Sequence, residues 1–216
     1  MSAAALHVVE TSPLKYLIRT CGCGAVPVHA PPLLCFLHGY DEAAPLEICA
    51  ALTRHGPLQA THPPSALDQF VIVAPQLPTR GDVWHRYAHA VRQIVLEEAQ
   101  NYGCDEQRLY LTGFSFGGNG VFDLALAQPD LWAALWPVDP TRVPTQPIAM
   151  PIWLSIGEIA RYQARAFIQR LALEAADSVT TGDRVWCDDG ADHVGTATRA
   201  YSDARIYAWL RSKRRP

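Results

Sequence analysis

The chain has 216 residues, of which 49% are hydrophobic and 18% charged, with 18 Lys+Arg against 21 Asp+Glu for a formal net charge of -3. Such proportions suit one compact domain over residues 1–216 with a sizeable core. They argue against a nucleic-acid or membrane-surface partner, and no apolar run approaches the ~20 residues a membrane span needs.

Met1 to Leu6 lacks a basic n-region and a long apolar h-region, so no signal peptide is expected. Val8-Val9 and Tyr16-Leu17-Ile18, on either side of Ser12-Pro13, read as a starting hairpin or edge strand. Cys21 to Pro32 is Gly/Pro-rich loop, and Leu33 to Leu37 is an apolar run of strand length that ends at His38-Gly39-Tyr40-Asp41. A helix is expected from Ala43 to Arg54, then an irregular stretch from His55 to Leu67. Phe70 to Ala74 is a second buried strand, stopped by Pro75. Tyr87, Val91, Ile94, Val95 and Tyr102 fall near helical spacing, which predicts a long helix from Trp84 to Tyr102 with Gly103 as its C-cap.

Next comes Leu109 to Thr112, a short buried strand, followed by Gly113-Phe114-Ser115-Phe116-Gly117 and an apolar helical pattern that ends at Pro129. Further strands are expected within Leu131 to Val138, over Pro151 to Ile156 and over Arg184 to Cys187, with helices over Ala160 to Ala176 and Ala200 to Leu210. The basic Arg211 to Arg215 cluster reads as a solvated helix end. Continuous apolar strands alternating with helices predict an α/β fold with a mostly parallel sheet covered on both faces. The ligand site of such a sheet lies beyond the carboxyl ends of its strands. Ser115, the His38-Gly39-Tyr40 turn, Asp139, Glu158 and His193 all fall there.

Gly113 to Gly117 fits G-x-S-x-G between a strand and a helix. A serine on so tight a turn is held in a strained conformation that exposes its Oγ, and the positions two before and two after it must be nearly free of side chain. A serine hydroxyl needs a base. Of eight histidines only His193 follows Ser115, in a small-residue loop between the last strand and the last helix. The orienting acid must lie between them at a strand end. Glu158 is favoured and Asp139 stands second, while Asp188 and Asp189 are too near the histidine loop to reach behind its ring. The backbone N–H groups of Phe116 and Tyr40 are the expected oxyanion donors, and His38 is expected to be structural. Tyr40, Trp84 and Trp136, with Leu37, are candidates for an apolar substrate wall. No metal site is expected: His85 and His89 are four apart with no third ligand, and the Cys21-x-Cys23 pair is alone. The remaining cysteines read as small buried hydrophobes, and a reducing cytoplasm is the default location.

Leu37-His38-Gly39, Val73-Ala74-Pro75-Gln76, Trp84, the run Asp105 to Gly118, Pro151-Ile152-Trp153 and the His193 loop resemble the α/β-hydrolase superfamily. The likeness is to small carboxylesterases similar to phospholipase/carboxylesterase, dienelactone-hydrolase-like and polyhydroxybutyrate-depolymerase-type enzymes, and it runs from about Leu33 to the C-terminal helix. It implies the α/β-hydrolase fold and a Ser-acid-His esterase without cofactor. There are two departures. Asp41 stands where the family's His-Gly-x-Gly has its second glycine, and the loop after Trp153 reads Ile156-Gly157-Glu158 with no Asp. The expectation is therefore a serine carboxylesterase for a short or medium acyl or aryl ester, a monomer or homodimer with a small-molecule substrate. A thioesterase or small-peptide peptidase on the same scaffold, and a non-catalytic binding protein with a degenerate acid position, remain as alternatives.

Overall fold

The computed structural model describes residues 6–10, 14–21, 30–59, 65–177 and 182–216. The expected turn at Ser12-Pro13, most of the Gly/Pro-rich loop with Cys23 and His29, and His62 lie outside them. Among the described residues nine strands join one sheet: β1 (Leu6–Val9), β2 (Tyr16–Arg19), β3 (Leu33–Leu37), β4 (Val71–Pro75), β5 (Leu109–Phe114), β6 (Ala134–Val138), β7 (Ile152–Ile156), β8 (Glu174–Ala175) and β9 (Arg184–Asp188). Their order is β1-β2-β4-β3-β5-β6-β7-β9-β8. The β1–β2 and β2–β4 pairs are antiparallel and every other pair is parallel.

The apolar runs divide by the two-residue period of a strand. Leu33, Cys35 and Leu37 of β3, Leu109 and Leu111 of β5, and Ile152, Leu154 and Ile156 of β7 join one core, together with Val91 and Val95 of helix α2 (Ala88–Asn101), Val121 and Leu124 of α3 (Phe116–Ala127), and Phe167 of α5 (Ala164–Leu171). Leu34 and Phe36, Tyr110, Trp136 and Trp153 face the other side. There they pack with α1 (Ile48–Leu52), α6 (His193–Ser202) and α7 (Ala204–Ser212). Each large side chain so buried contributes about 1.5–3 kcal/mol relative to leaving it in water. The result is an α/β fold with a mostly parallel sheet covered on both faces.

Four expected elements differ in detail. The helix over Ala43 to Arg54 is a 3-10 turn at Tyr40–Glu42 and a short α1, because Pro45 supplies no N–H and Glu47 caps a new start by accepting from Cys49 N–H and Ala50 N–H. The Trp84 helix opens with a 3-10 turn at Trp84–Tyr87 before α2 begins. The helix over Ala160 to Ala176 is α4 (Glu158–Arg161) and then α5, which ends where Ala172 turns left-handed, and the edge strand β8 follows. The closing helix is two helices, α6 and α7, because Asp203 turns out of the first and caps the second by accepting from Arg205 N–H.

The chain runs from β3 outward to β4 and then returns to the other side of β3 as β5. Connections therefore leave β3 and β5 in opposite directions, and a crevice opens beyond their carboxyl ends. The turn after β3 and Ser115 after β5 both sit at its mouth.

Candidate active site

Ser115 joins β5 directly to α3 with φ 57° and ψ -115°. The flanking glycines are needed for contact reasons. A Cβ at Gly117 would stand 1.9 Å from Leu37 O, and one at Gly113 would stand 2.4 Å from Gly117 O. No side chain fits at either position, so β5, the elbow and β3 approach as closely as the motif requires.

His193 is the first residue of α6, which Asp192 caps by accepting from Gly195 N–H at 2.7 Å. Its Nε2 lies 2.8 Å from Ser115 Oγ and its Nδ1 lies 2.5 Å from Asp139 Oδ2. A carboxylate only accepts, so Nδ1 carries the proton and Nε2 is left to accept from the serine hydroxyl. Phe114 lies against the imidazole, with ring centroids 4.6 Å apart and an interplanar angle of 34°. Arg161 fixes the loop in front of α6. Its Nε and Nη2 donate to the Asp188 carboxylate at 2.7 and 2.8 Å, and Nη2 also reaches Ala191 O at 2.9 Å. The guanidinium holds the Asp188 carboxyl below the usual carboxylate range.

Asp139 follows β6, fully buried and at φ 40°. A left-handed backbone at an Asp is tolerated but uncommon, and here it turns the carboxylate toward β7 and α6. Oδ1 accepts from Gly157 N–H at 2.9 Å and Ala160 N–H at 2.8 Å, while Oδ2 faces His193. A buried carboxylate so surrounded by donors is held in one orientation.

The expected preference for Glu158 is corrected by this geometry. Glu158 is the first residue of α4, and its side chain is exposed. The loop that carries it turns its amides, not its side chain, toward the histidine's partner. Trp136 is likewise corrected. It points to the α6–α7 face, fully buried, where Nε1–H donates to Ser155 Oγ at 3.2 Å and the ring packs on Tyr201 and Tyr207. Trp84 is buried behind the β3 turn. Its Nε1–H donates to His38 O at 3.3 Å, and it borders a separate hollow of about 260 Å³ with Asn119 and Arg142. Apolar character is all that marks both tryptophans in the sequence, and core residues share it.

The turn after β3 is sewn to the loop after β4. His38 is buried, its Nδ1–H donates to Gly39 O at 2.6 Å, and its Nε2 accepts from Leu77 N–H at 3.0 Å. Burial pushes the imidazole below its ordinary value, which agrees with a neutral, structural ring. Gln76 Nε2 donates to Glu42 O and Leu46 O, each at 3.0 Å. Gly39 N–H is taken by Glu42 Oε2 at 2.6 Å. Among the described residues no hydrogen bond engages the N–H of Tyr40 or of Phe116. Asp41, at the position of the missing glycine, turns outward to pair with Arg80.

Ser115 and His193 open into a cleft of about 320 Å³ whose walls include Tyr40, Glu42, Arg54, His55, Phe114 and Val194. The sequence does not assign Glu42, Arg54 or His55 to the site: Glu42 stands between the His38–Asp41 turn and the expected helix, Arg54 ends that helix and His55 opens the irregular stretch, and a buried carboxylate leaves no periodic signature. Among the described residues, no three His, Cys, Asp or Glu side chains stand together as a metal site, and no helix is long and apolar enough to cross a membrane.

No protein-family model matches the chain, and no curated protein does. Solved structures do. One of them, a thermostable esterase, superposes with a TM-score of 0.73 at 21% identity, with the alignment covering 98% of this chain and 63% of that one. The chain thus has the fold of that structure and spans less than two thirds of its length.

Proposed function

We propose that the chain is a serine hydrolase that cleaves short carboxylic esters through an acyl-enzyme. The observation that carries this reading is the unbroken line of hydrogen bonds from Ser115 through His193 to Asp139. His193 Nε2 takes the Ser115 proton as Oγ attacks the ester carbonyl, and the Asp139 carboxylate holds the tautomer and faces the imidazolium that forms. The N–H groups of Phe116 and Tyr40 supply the oxyanion donors. His193 then returns its proton to the leaving alkoxide, and water repeats the sequence to free the acid. The fold likeness to a thermostable esterase supports an ester over other acyl compounds. A cleft of about 320 Å³ suits a short or medium acyl or aryl group. The partnered His193 also supports a working site over the binding-only alternative.

Steady-state hydrolysis of p-nitrophenyl acetate and butyrate tests the proposal. Ser115→Ala is expected to abolish both turnover and fluorophosphonate labelling. Asp139→Asn is expected to lower kcat by about 10³–10⁴-fold, against less than about twofold for Glu158→Gln. Loss of activity in Glu158→Gln with Asp139→Asn unaffected would return the acid role to Glu158.

A further inference from the structure

The cleft beside Ser115 carries charges that the proposed ester hydrolysis does not use. Glu42 is buried, and both its carboxylate oxygens are engaged: Oε2 accepts from Gly39 N–H, and Oε1 lies 2.7 Å from His55 Nδ1. His55 is thereby held on the cleft wall, beside the Phe114 ring, with ring centroids 5.2 Å apart. Its Nε2 is engaged by no hydrogen bond among the described residues. Asp41, also on the wall, is matched by Arg80. Arg54 remains. It is exposed, it lines the cleft next to His55, and among the described residues it makes no ion pair and donates no side-chain hydrogen bond.

From this unpartnered guanidinium we infer that Arg54 forms an anion-binding subsite, and that the preferred substrate is an ester with a free carboxylate on the part seated in this half of the cleft. This rests on the proposed ester hydrolysis at Ser115 and adds the substrate class. The chemistry favours a carboxylate for two reasons. An arginine fork presents paired N–H donors that match the two oxygens of a carboxylate. The local acids cannot compete, because Glu42 has no free oxygen and Asp41 already has a cation. The small cleft keeps the anion within a few bonds of the scissile carbonyl, which points to half-esters of short dicarboxylic acids.

The test compares p-nitrophenyl butyrate with p-nitrophenyl hemisuccinate, a matched pair that differs by a terminal carboxylate. In the wild type kcat/KM is expected to be higher for the hemisuccinate, with the preference shrinking as salt is raised. Arg54→Gln is expected to lower the ratio of hemisuccinate to butyrate kcat/KM by about tenfold or more, the effect of removing a charged hydrogen bond. Arg215→Gln, which removes the same charge at the amino end of the sheet, should leave the ratio as it was. An unchanged ratio in Arg54→Gln, or an equal drop in Arg215→Gln, overturns the subsite. A second arm needs no turnover: monomethyl succinate is titrated by calorimetry into Ser115→Ala and Ser115→Ala/Arg54→Gln, neither of which can form the acyl-enzyme. Binding that the substitution weakens supports the subsite even if neither ester is hydrolysed, which would count against the esterase reading alone. Equal binding, or none, overturns the subsite even if butyrate is hydrolysed.

Discussion

Ser115 was legible because its constraint is steric and local. Gly113 and Gly117 are spaced for a turn that tolerates no Cβ, and the structure places backbone atoms where those Cβ atoms would be. The same constraint predicts a substitution. Gly117→Ala would put a methyl group against Leu37 O, backbone that cannot swing aside, and the expected loss is about 3 kcal/mol or more in urea unfolding, or failure to accumulate folded protein. His193 was legible by elimination, as the one histidine downstream. The acid was less so. Asp139 and Glu158 both follow strands, and sequence carries no sign that the carboxylate after β6 would turn left-handed and bury while the one after β7 would face water.

At the scale of elements, the turn after β3 depends on the loop after β4. Sequence located both segments and not their stitching, since the partners lie some thirty residues apart: Gln76 with Glu42 and Leu46, Leu77 with His38 and Ala44. Gln76 is buried and spans two carbonyls with one amide nitrogen. Gln76→Ala leaves those carbonyls without that donor, at about 1–3 kcal/mol of stability. The turn also sets the Tyr40 N–H, so kcat for p-nitrophenyl butyrate should fall while KM changes less. A stability loss with kcat intact would separate the turn from catalysis. The helix boundaries are hidden in the sequence for a related reason. Caps such as Glu47 and Asp203 break an apolar pattern that reads as continuous, and a cap is visible only once its N–H partners are in place.

Across the whole molecule, the α/β class was legible because strand runs apolar on both faces need cover on both sides. The cover on the α6–α7 side includes Tyr110, Tyr201 and Tyr207, all buried, and burial pushes all three hydroxyls above the ordinary tyrosine value. The sign follows from linkage. Above about pH 10 the unfolded chain ionises these phenols and the folded chain does not, so stability is full below that pH and is lost as pH rises. Each tyrosine contributes up to about 1.4 kcal/mol of loss per pH unit in that range. Urea midpoints are expected to hold between pH 8 and 9 and to fall steeply by pH 11, and Tyr207→Phe should flatten the fall. An equally steep fall in that variant would assign the alkaline loss elsewhere.

The carboxylate that meets His193 sits just after β6, and the segment after β7 serves it through main-chain amides alone. Amides come with every residue except proline. The outward side chains of that segment, Glu158, Ile159 and Tyr162, are therefore released from any chemical obligation. They form a permissive exposed patch on and just after α4, which packs against α6, where a diversified library could vary the surface without disturbing the hydrogen bonds among Ser115, His193 and Asp139.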